Sequence, residues 1–369
     1  MVCVAGADGG RDAGVASLGG WRSRAGRYHR VLNSREIGRL AGVSQATVSR
    51  VLQGSSLVAP PTRERVLAVV EATGYQPNRA ARAMRTRRTG TVGIVLADLT
   101  NPFYPELLRA LAAAIAARGL HMILWNAEGP DAAGVTAAVG QQLVDGLIFT
   151  DALSDTAALH EALDLRAPVV LVNRTVAGLP CDQVTSDNRA TSARIARYFA
   201  DNGHRRAALI TARGEASTAR ERSEGFLTGC RKWGVTVTRR DVVDGGFTHA
   251  GGAAAMRRAM SGARPPTAVF CVNDVSALGA VDAAAALGVG VPDDVWVVGY
   301  DDIDMASWES YALTTARQPL QDMASAAVDL LCTRIAHTDR EPTTVSLPSE
   351  VLVRRTTADV PLAPRTAEG

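Results

Sequence analysis

Between Asn33 and Gly54, in NSREIGRLAGVSQATVSRVLQG, apolar side chains recur at helical spacing in two short runs separated at Gly42. Ile37, Leu40 and Ala41 form one face of the first run. Val48, Val51 and Leu52, at i, i+3 and i+4, form one face of the second. Asn33 and Glu36 stand at the spacing where each side chain takes the other's backbone N–H at a helix start. Gly42 can take the positive φ that ends a helix without a Cβ clash, Val43 plugs the gap, and Ser44 caps the second helix. Pro60 suits the first turn of a third helix, with Val66, Val69 and Val70 inward; Ala59 offers no side-chain cap there, so this helix starts less sharply. Gly38 inside the first helix costs about 0.5–1 kcal/mol relative to alanine, which predicts a weakened helix.

From Thr91 the pattern changes. TVGIVLAD, HMILWNA, VDGLIFTD, PVVLVNR, AALITA, AVFCVND and VWVVGYDD are short apolar runs at βα spacing, with a helix over 105–118 between the first two. Such alternation builds parallel sheets flanked by helices, and the series is too long for one open sheet of ordinary size. Between head and body, Gly74 to Asn78 reads as a turn. The Ala/Arg segment 78–84 is too short to hold a helix alone.

Charge is divided unevenly along the chain. Residues 1–90 carry fifteen arginines, no lysine and five acidic residues, a net +10; the total is +3, which leaves −7 for the rest. A basic head on an acidic body fits a polyanionic partner for the head alone. The five cysteines are widely spaced without a C-x-x-C pair and read as reduced thiols of a cytosolic protein. No apolar run approaches the roughly 20 residues that span a bilayer, and residues 1–30 lack a signal-peptide core. They read as a disordered basic leader. There is no G-x-S-x-G elbow, H-E-x-x-H pair or phosphate loop, and the six histidines are scattered, so neither catalysis, a cofactor nor a metal is expected.

Two sets of positions carry chemistry. On the second helix Gln45, Ala46, Thr47, Ser49 and Arg50 face outward. They are short or hydrogen-bonding side chains of the kind a helix needs in a DNA major groove, where Arg can donate twice to a guanine edge. In the body, Asp98, Asn173, Arg174, Asn273, Asp274 and Asp301 fall at strand ends, and Phe103 lies in the loop after the first strand. Ligands of open α/β sheets sit beyond such ends. Plainer readings stand beside these: Asp98 and Asp301 as helix caps, Phe103 as core, Arg174 and Arg222 as surface ion pairs. His204 reads as structural.

AGVS-x-x-TVSRVL followed by such a body resembles the lactose-repressor (LacI/GalR) family of bacterial transcription regulators, over roughly Val31 to Thr357. The chain departs from the family pattern at Asn33, Ser34 and Gly38, and the path around Trp308 and Tyr311 differs. The resemblance implies an all-α helix-turn-helix head plus an α/β two-lobed periplasmic-binding-protein-like body. The divisions are a leader over 1–30, the DNA-binding head over 31–76, a hinge helix and linker over 77–90, the effector and dimerisation body over 91–357 and a tail over 358–369. The chain should cross between lobes near 186–190, 316–319 and 345–350. Gln45, Ala46 and Arg50 are expected at base edges and Thr47 and Ser49 nearer phosphates, with Ser44 among the DNA-binding residues of the same helix. Hinge residues Asn78, Ala81, Arg82 and Met84 would enter the minor groove, with Met84 as the wedge. Thr218, Arg222 and Phe247 join the strand-end residues in an effector pocket whose chemistry suits a sugar; Gln318 is a weaker candidate. The implied partners are double-stranded operator DNA, a small-molecule effector and a second copy in a homodimer, in a bacterial cytoplasm at the nucleoid and without membrane. Repression is the expected mode. Alternatives are activation, a nucleobase or phosphorylated-metabolite effector, or a ligand-binding or enzymatic α/β protein without regulation.

Overall fold

The computed structural model describes residues 32–75 and 88–357, apart from Gln53, Ala97, 127–131, Arg213 and Glu215. The chain divides into two compact units, the second beginning at residue 80. The first contains α1 (Ser34–Ala41), α2 (Gln45–Leu52) and α3 (Pro60–Thr73). Asn33 Oδ1 accepts from Glu36 N at 3.1 Å while Glu36 Oε2 accepts from Asn33 N at 2.9 Å, so the α1 start is capped reciprocally. Gly42 ends α1 at φ +62°, and Ser44 Oγ accepts from Thr47 N at 3.1 Å to cap α2. Ala59 makes no side-chain cap at the start of α3. Ile37, Ala41, Val48, Val51, Val58 and Val66 form the head's core.

Two expectations for α1 are corrected. Leu40 is 53% exposed, and the buried face is Ile37, Gly38 and Ala41. Gly38 is no mere weakness: a Cβ there would lie 2.8 Å from the Val43 carbonyl oxygen. The glycine lets the turn close onto the helix, and Val43 N donates to Gly38 O at 2.8 Å.

The second unit holds two six-stranded sheets. The first has the order β11-β5-β4-β3-β1-β2, all parallel, from β1 (Thr91–Leu96), β2 (His121–Asn126), β3 (Gly146–Phe149), β4 (Val169–Val172), β5 (Asp182–Ser186) and β11 (Thr344–Leu347). The second has the order β12-β10-β9-β8-β6-β7, from β6 (Ala207–Thr211), β7 (Val242–Asp244), β8 (Ala268–Cys271), β9 (Trp296–Asp301), β10 (Thr314–Arg317) and β12 (Glu350–Leu352). Among the described residues only the β10–β12 pairing is antiparallel. Helices α4 (Phe103–Ala117), α5 (Ala132–Gly140), α6 (Ala157–Asp164) and α11 (Leu320–Ala336) belong to the first lobe. Helices α7 (Asn188–Asp201), α8 (Ser217–Trp233), α9 (His249–Met260) and α10 (Asp274–Ala286) belong to the second. The chain crosses between lobes after β5, after β10 and between β11 and β12, close to the expected positions.

The apolar runs became strands β1, β3, β4, β6, β8 and β9 because their side chains fill the sheet–helix layers; HMILWNA became edge strand β2, where Ile123 and Leu124 stay exposed and only Met122 and Trp125 pack against the core. Polar β5, DQVTS, is buried along its whole length. Asp182 is held there by Arg334 at 2.9 Å, and Gln183 exchanges hydrogen bonds with Val176. His204 packs its ring 4.5 Å from Trp296, with Nδ1 on Thr267 Oγ1 at 2.9 Å, a structural role.

Candidate functional site

On the head, Ser44, Gln45, Ala46 and Arg50 are exposed, and Thr47 and Ser49 are half-buried beside them. The Ser44 and Thr47 hydroxyls lie 2.9 Å apart. The α2 face is therefore short and polar around Ala46, the shape that permits close approach to a groove floor. Asn78, Ala81, Arg82 and Met84 lie outside the described residues.

In the body, strand ends from both lobes enclose a cavity of about 120 Å³. Asp98, Phe103, Asn173 and Arg174 contribute from the first lobe, and Thr218, Arg222, Phe247, Asn273 and Asp301 from the second. Asn101, Tyr104 and Gly246 complete the lining, Asn101 and Tyr104 flanking Phe103 in the Asn101-Pro-Phe-Tyr stretch after the first strand.

Each side chain is fixed by its neighbours. Arg222, only 2% exposed, is no surface ion pair. It donates to Asn188 Oδ1 at 2.8 Å, to Val272 O at 2.7 Å and to Asp301 Oδ1 at 3.0 Å, with its guanidinium 3.7 Å from the Tyr300 ring centroid. Asp301 Oδ1 also accepts from Gln318 Nε2 at 2.8 Å. Burial pushes the Asp301 carboxyl upward, opposed by Arg222 and Gln318. Arg174 donates to Asp151 O at 2.9 Å and lies 5.9 Å from the Phe247 ring centroid. Asn273 caps α10 through Ser276 N at 3.2 Å and donates to Phe247 O at 3.1 Å. Asp98 Oδ1 accepts from Thr100 N at 2.8 Å, which organises the loop leading to α4. Phe103 is both lining and core, stacked edge-on with Tyr104 at 5.3 Å. Burial raises the Tyr104 phenol well above its ordinary range.

Asn173, Phe247 and Asp301 have φ of +75°, +59° and +128°, a region that non-glycine residues rarely occupy. Strain of this kind is held where surrounding contacts over-determine it, and functional sites collect it. Two lining residues also carry orphaned atoms: Asn173 Oδ1 and Arg174 Nε are buried without a partner.

Asp274 departs from the expected pocket. It is fully buried below the cleft, where Oδ1 accepts from Thr315 Oγ1 at 2.5 Å and Oδ2 from Ile303 N at 2.9 Å. As the first residue of α10 it turns away from the cleft, while Asn273 beside it faces in. A Cβ on Gly299 would lie 2.2 Å from Asp274 Oδ1, so that glycine makes room for the carboxyl. Burial and the nearby Asp301 charge raise its pKa. Among the described residues no group of three or more His, Cys, Asp or Glu could hold a metal.

Residues 35–78 match the family described as bacterial regulatory proteins, lacI family, and residues 196–357 match the periplasmic binding protein-like domain. The chain is 31% identical over 334 residues to the HTH-type transcriptional repressor PurR of Photobacterium profundum, spanning 88% of this chain and 98% of the relative. The chain belongs to the LacI family of bacterial regulatory proteins. This LacI-family chain is also 33% identical over 306 residues to the ribose operon repressor of Escherichia coli (strain K12), covering 82% and 92% of the two. It resembles the solved transcriptional regulator CelR–cellobiose complex, with TM-score 0.68, 29% identity and coverage of 88% and 99%. The lac repressor dimer bound to operator shares the fold at TM-score 0.75 and 24% identity, covering 88% and 99%. The head is thus the family's DNA-binding domain, the two-lobed body its ligand-responsive part, and the chain a DNA-binding transcriptional regulator under small-molecule control.

Proposed function

We propose that this LacI-family regulator is a repressor that binds a palindromic operator as a homodimer and senses a single-ring sugar. The cleft chemistry carries the sugar reading. Asn173 Oδ1 and Arg174 Nε are buried without partners, and a polyhydroxylated ring supplies hydroxyls to such groups. Phe247 gives an apolar face for ring C–H groups, and Asp98 and Asp301 give acceptors. A cavity of about 120 Å³ favours one ring over two. Arg222 and Arg174 already donate to protein oxygens, which leaves less for a phosphorylated ligand. The ribose operon repressor similarity supports a single-ring sugar, and the CelR–cellobiose similarity, with its two-ring ligand, supports sugars in general. These donors and acceptors bind and orient; we assign no catalytic step to them. The reading places the protein in the bacterial cytoplasm at the nucleoid, and among the described residues no helix is long and apolar enough to cross a membrane.

In this reading Gln45, Ala46 and Arg50 touch base edges, and Ser44, Thr47 and Ser49 contact phosphates. Asn78, Ala81, Arg82 and Met84 serve as the minor-groove hinge. The signal travels along α11. At its start Gln318 holds Asp301 of the cleft, and near its end Ile335 O accepts from Arg88 at 3.1 Å. Seventeen residues at about 1.5 Å each make a strut of roughly 25 Å. Asp145 holds the root of the linker by accepting from Thr89 N at 2.6 Å, Thr89 Oγ1 at 3.0 Å and Gly90 N at 2.9 Å. A ligand shifts DNA affinity only by its different affinity for the two lobe arrangements. Calorimetric titration with a panel of pentoses, hexoses, disaccharides and nucleobases tests the effector class. Saturable binding of a monosaccharide is expected, with at least tenfold loss in Phe247→Ala; binding of nucleobases alone overturns it.

A further inference from the structure

The second helix of the head does not present its first side chain alone. Arg35 Nε donates to Gln45 Oε1 at 3.1 Å, and Gln45 Nε2 donates to Ser34 Oγ at 2.9 Å. Both partners come from the first turn of α1, ten and eleven residues earlier in the chain. We infer that Arg35 and Ser34 are specificity-determining positioning residues that fix the direction in which the Gln45 amide reads a base pair. The inference rests on the proposed base-reading role of Gln45.

Donor and acceptor inventory fixes that direction. A guanidinium has donors and no acceptor, so it can engage only the carbonyl end of the amide; this settles which end of Gln45 faces Arg35. The Ser34 hydroxyl takes the amide's N–H on the other side. An amide has two lone pairs on oxygen and two N–H donors, and one of each is used. One donor and one acceptor remain, in a fixed order. Adenine presents an acceptor and a donor, N7 and N6, in the major groove; guanine presents two acceptors, so only adenine matches both. An amide already held at both ends also loses less rotamer freedom on binding than a free glutamine. Gln45 is exposed, so solvent alone does not order it.

The test is selection of bound duplexes from random DNA by the full-length protein at one stated salt concentration. Wild type is compared with Gln45→Ala, Arg35→Ala, Arg35→Lys and Ser34→Ala, each checked by thermal melting. Wild type should prefer adenine at one position of each half-site, and Gln45→Ala should flatten that position. Arg35→Ala and Ser34→Ala should flatten the same position, by about tenfold, and leave the other positions intact. Arg35→Lys, which keeps a donor for Oε1, should restore part of the preference. If Arg35→Ala and Ser34→Ala keep the adenine preference that Gln45→Ala loses, the positioning role is overturned while base reading stands. Uniform weakening on all duplexes in Arg35→Ala would make Arg35 a phosphate contact only and overturn its role here. If Gln45→Ala flattens no position, base reading and positioning fall together.

Discussion

Single atoms decide much of this molecule. Gly38 looks like a helix defect until the Val43 carbonyl is placed 2.8 Å from its missing Cβ. Helix propensity alone predicts that Gly38→Ala stabilises by about 0.5–1 kcal/mol. The contact with rigid backbone predicts the opposite, a net loss of about 1–3 kcal/mol, read as a lower melting temperature of the head. Asp274 supplies the second case. Its carboxyl is raised by burial and by Asp301, so the folded state holds a proton that the unfolded chain releases near pH 3.9. Stability from this group is therefore greatest at low pH and falls as pH rises from about 3.9 toward the raised folded value. His204, lowered by burial, acts in the opposite direction below its ordinary 6.5, so the comparison must be between variants. Asp274→Asn should flatten the fall in melting temperature with pH relative to wild type. An unchanged slope would show that its ionisation does not set the dependence. A strand-end position is visible in a sequence and suggests pocket lining for Asp274; which of two adjacent residues turns inward is set by the α10 start and the room above Gly299.

At the scale of elements, what the periodic pattern revealed was what the sheets bury. Strands β1, β3, β4, β6, β8 and β9 are legible as apolar runs because both faces of a parallel sheet are covered. Strands β5 and β10 are not, since polar and charged residues dominate them, and β11 and β12 are only four and three residues long with polar residues interleaved. They are held by long-range partners that no local window contains, such as Arg334 on Asp182 and the Arg354 carbonyl on Thr314. The cleft is partly legible for a related reason: strand ends are local features, and five of the six strand-end candidates, all but Asp274, line one cavity, whereas Thr218, Arg222 and Phe247 were expected through the family resemblance. The proposed path from cleft to linker offers its own test at the linker root. Asp145→Ala removes three hydrogen bonds at the linker root. It should leave operator affinity without effector within a few-fold while shrinking the effector-induced change, a coupling typically worth about 1–3 kcal/mol. Unaltered coupling measured by titration would exclude the linker root from the path.

The whole molecule joins two chemistries that the chain keeps apart: a basic head whose outward helix face is built for a groove, and an acidic body whose two lobes meet over a polar cavity. Neither unit makes a regulator alone. One head buries too little for strong specificity, which is why a symmetric pair reading two half-sites follows from the size of the module. Operator affinity with and without sugar tests that union of head and body. Duplexes selected from random DNA are titrated with purified protein at fixed salt, then again with each monosaccharide of a panel. We predict a palindromic consensus with a pyrimidine–purine step at its centre, bound as a dimer, and one monosaccharide that shifts the affinity at least fivefold. Binding that lacks a consensus and fades only with rising salt, or a consensus site whose affinity no small molecule moves, would contradict it.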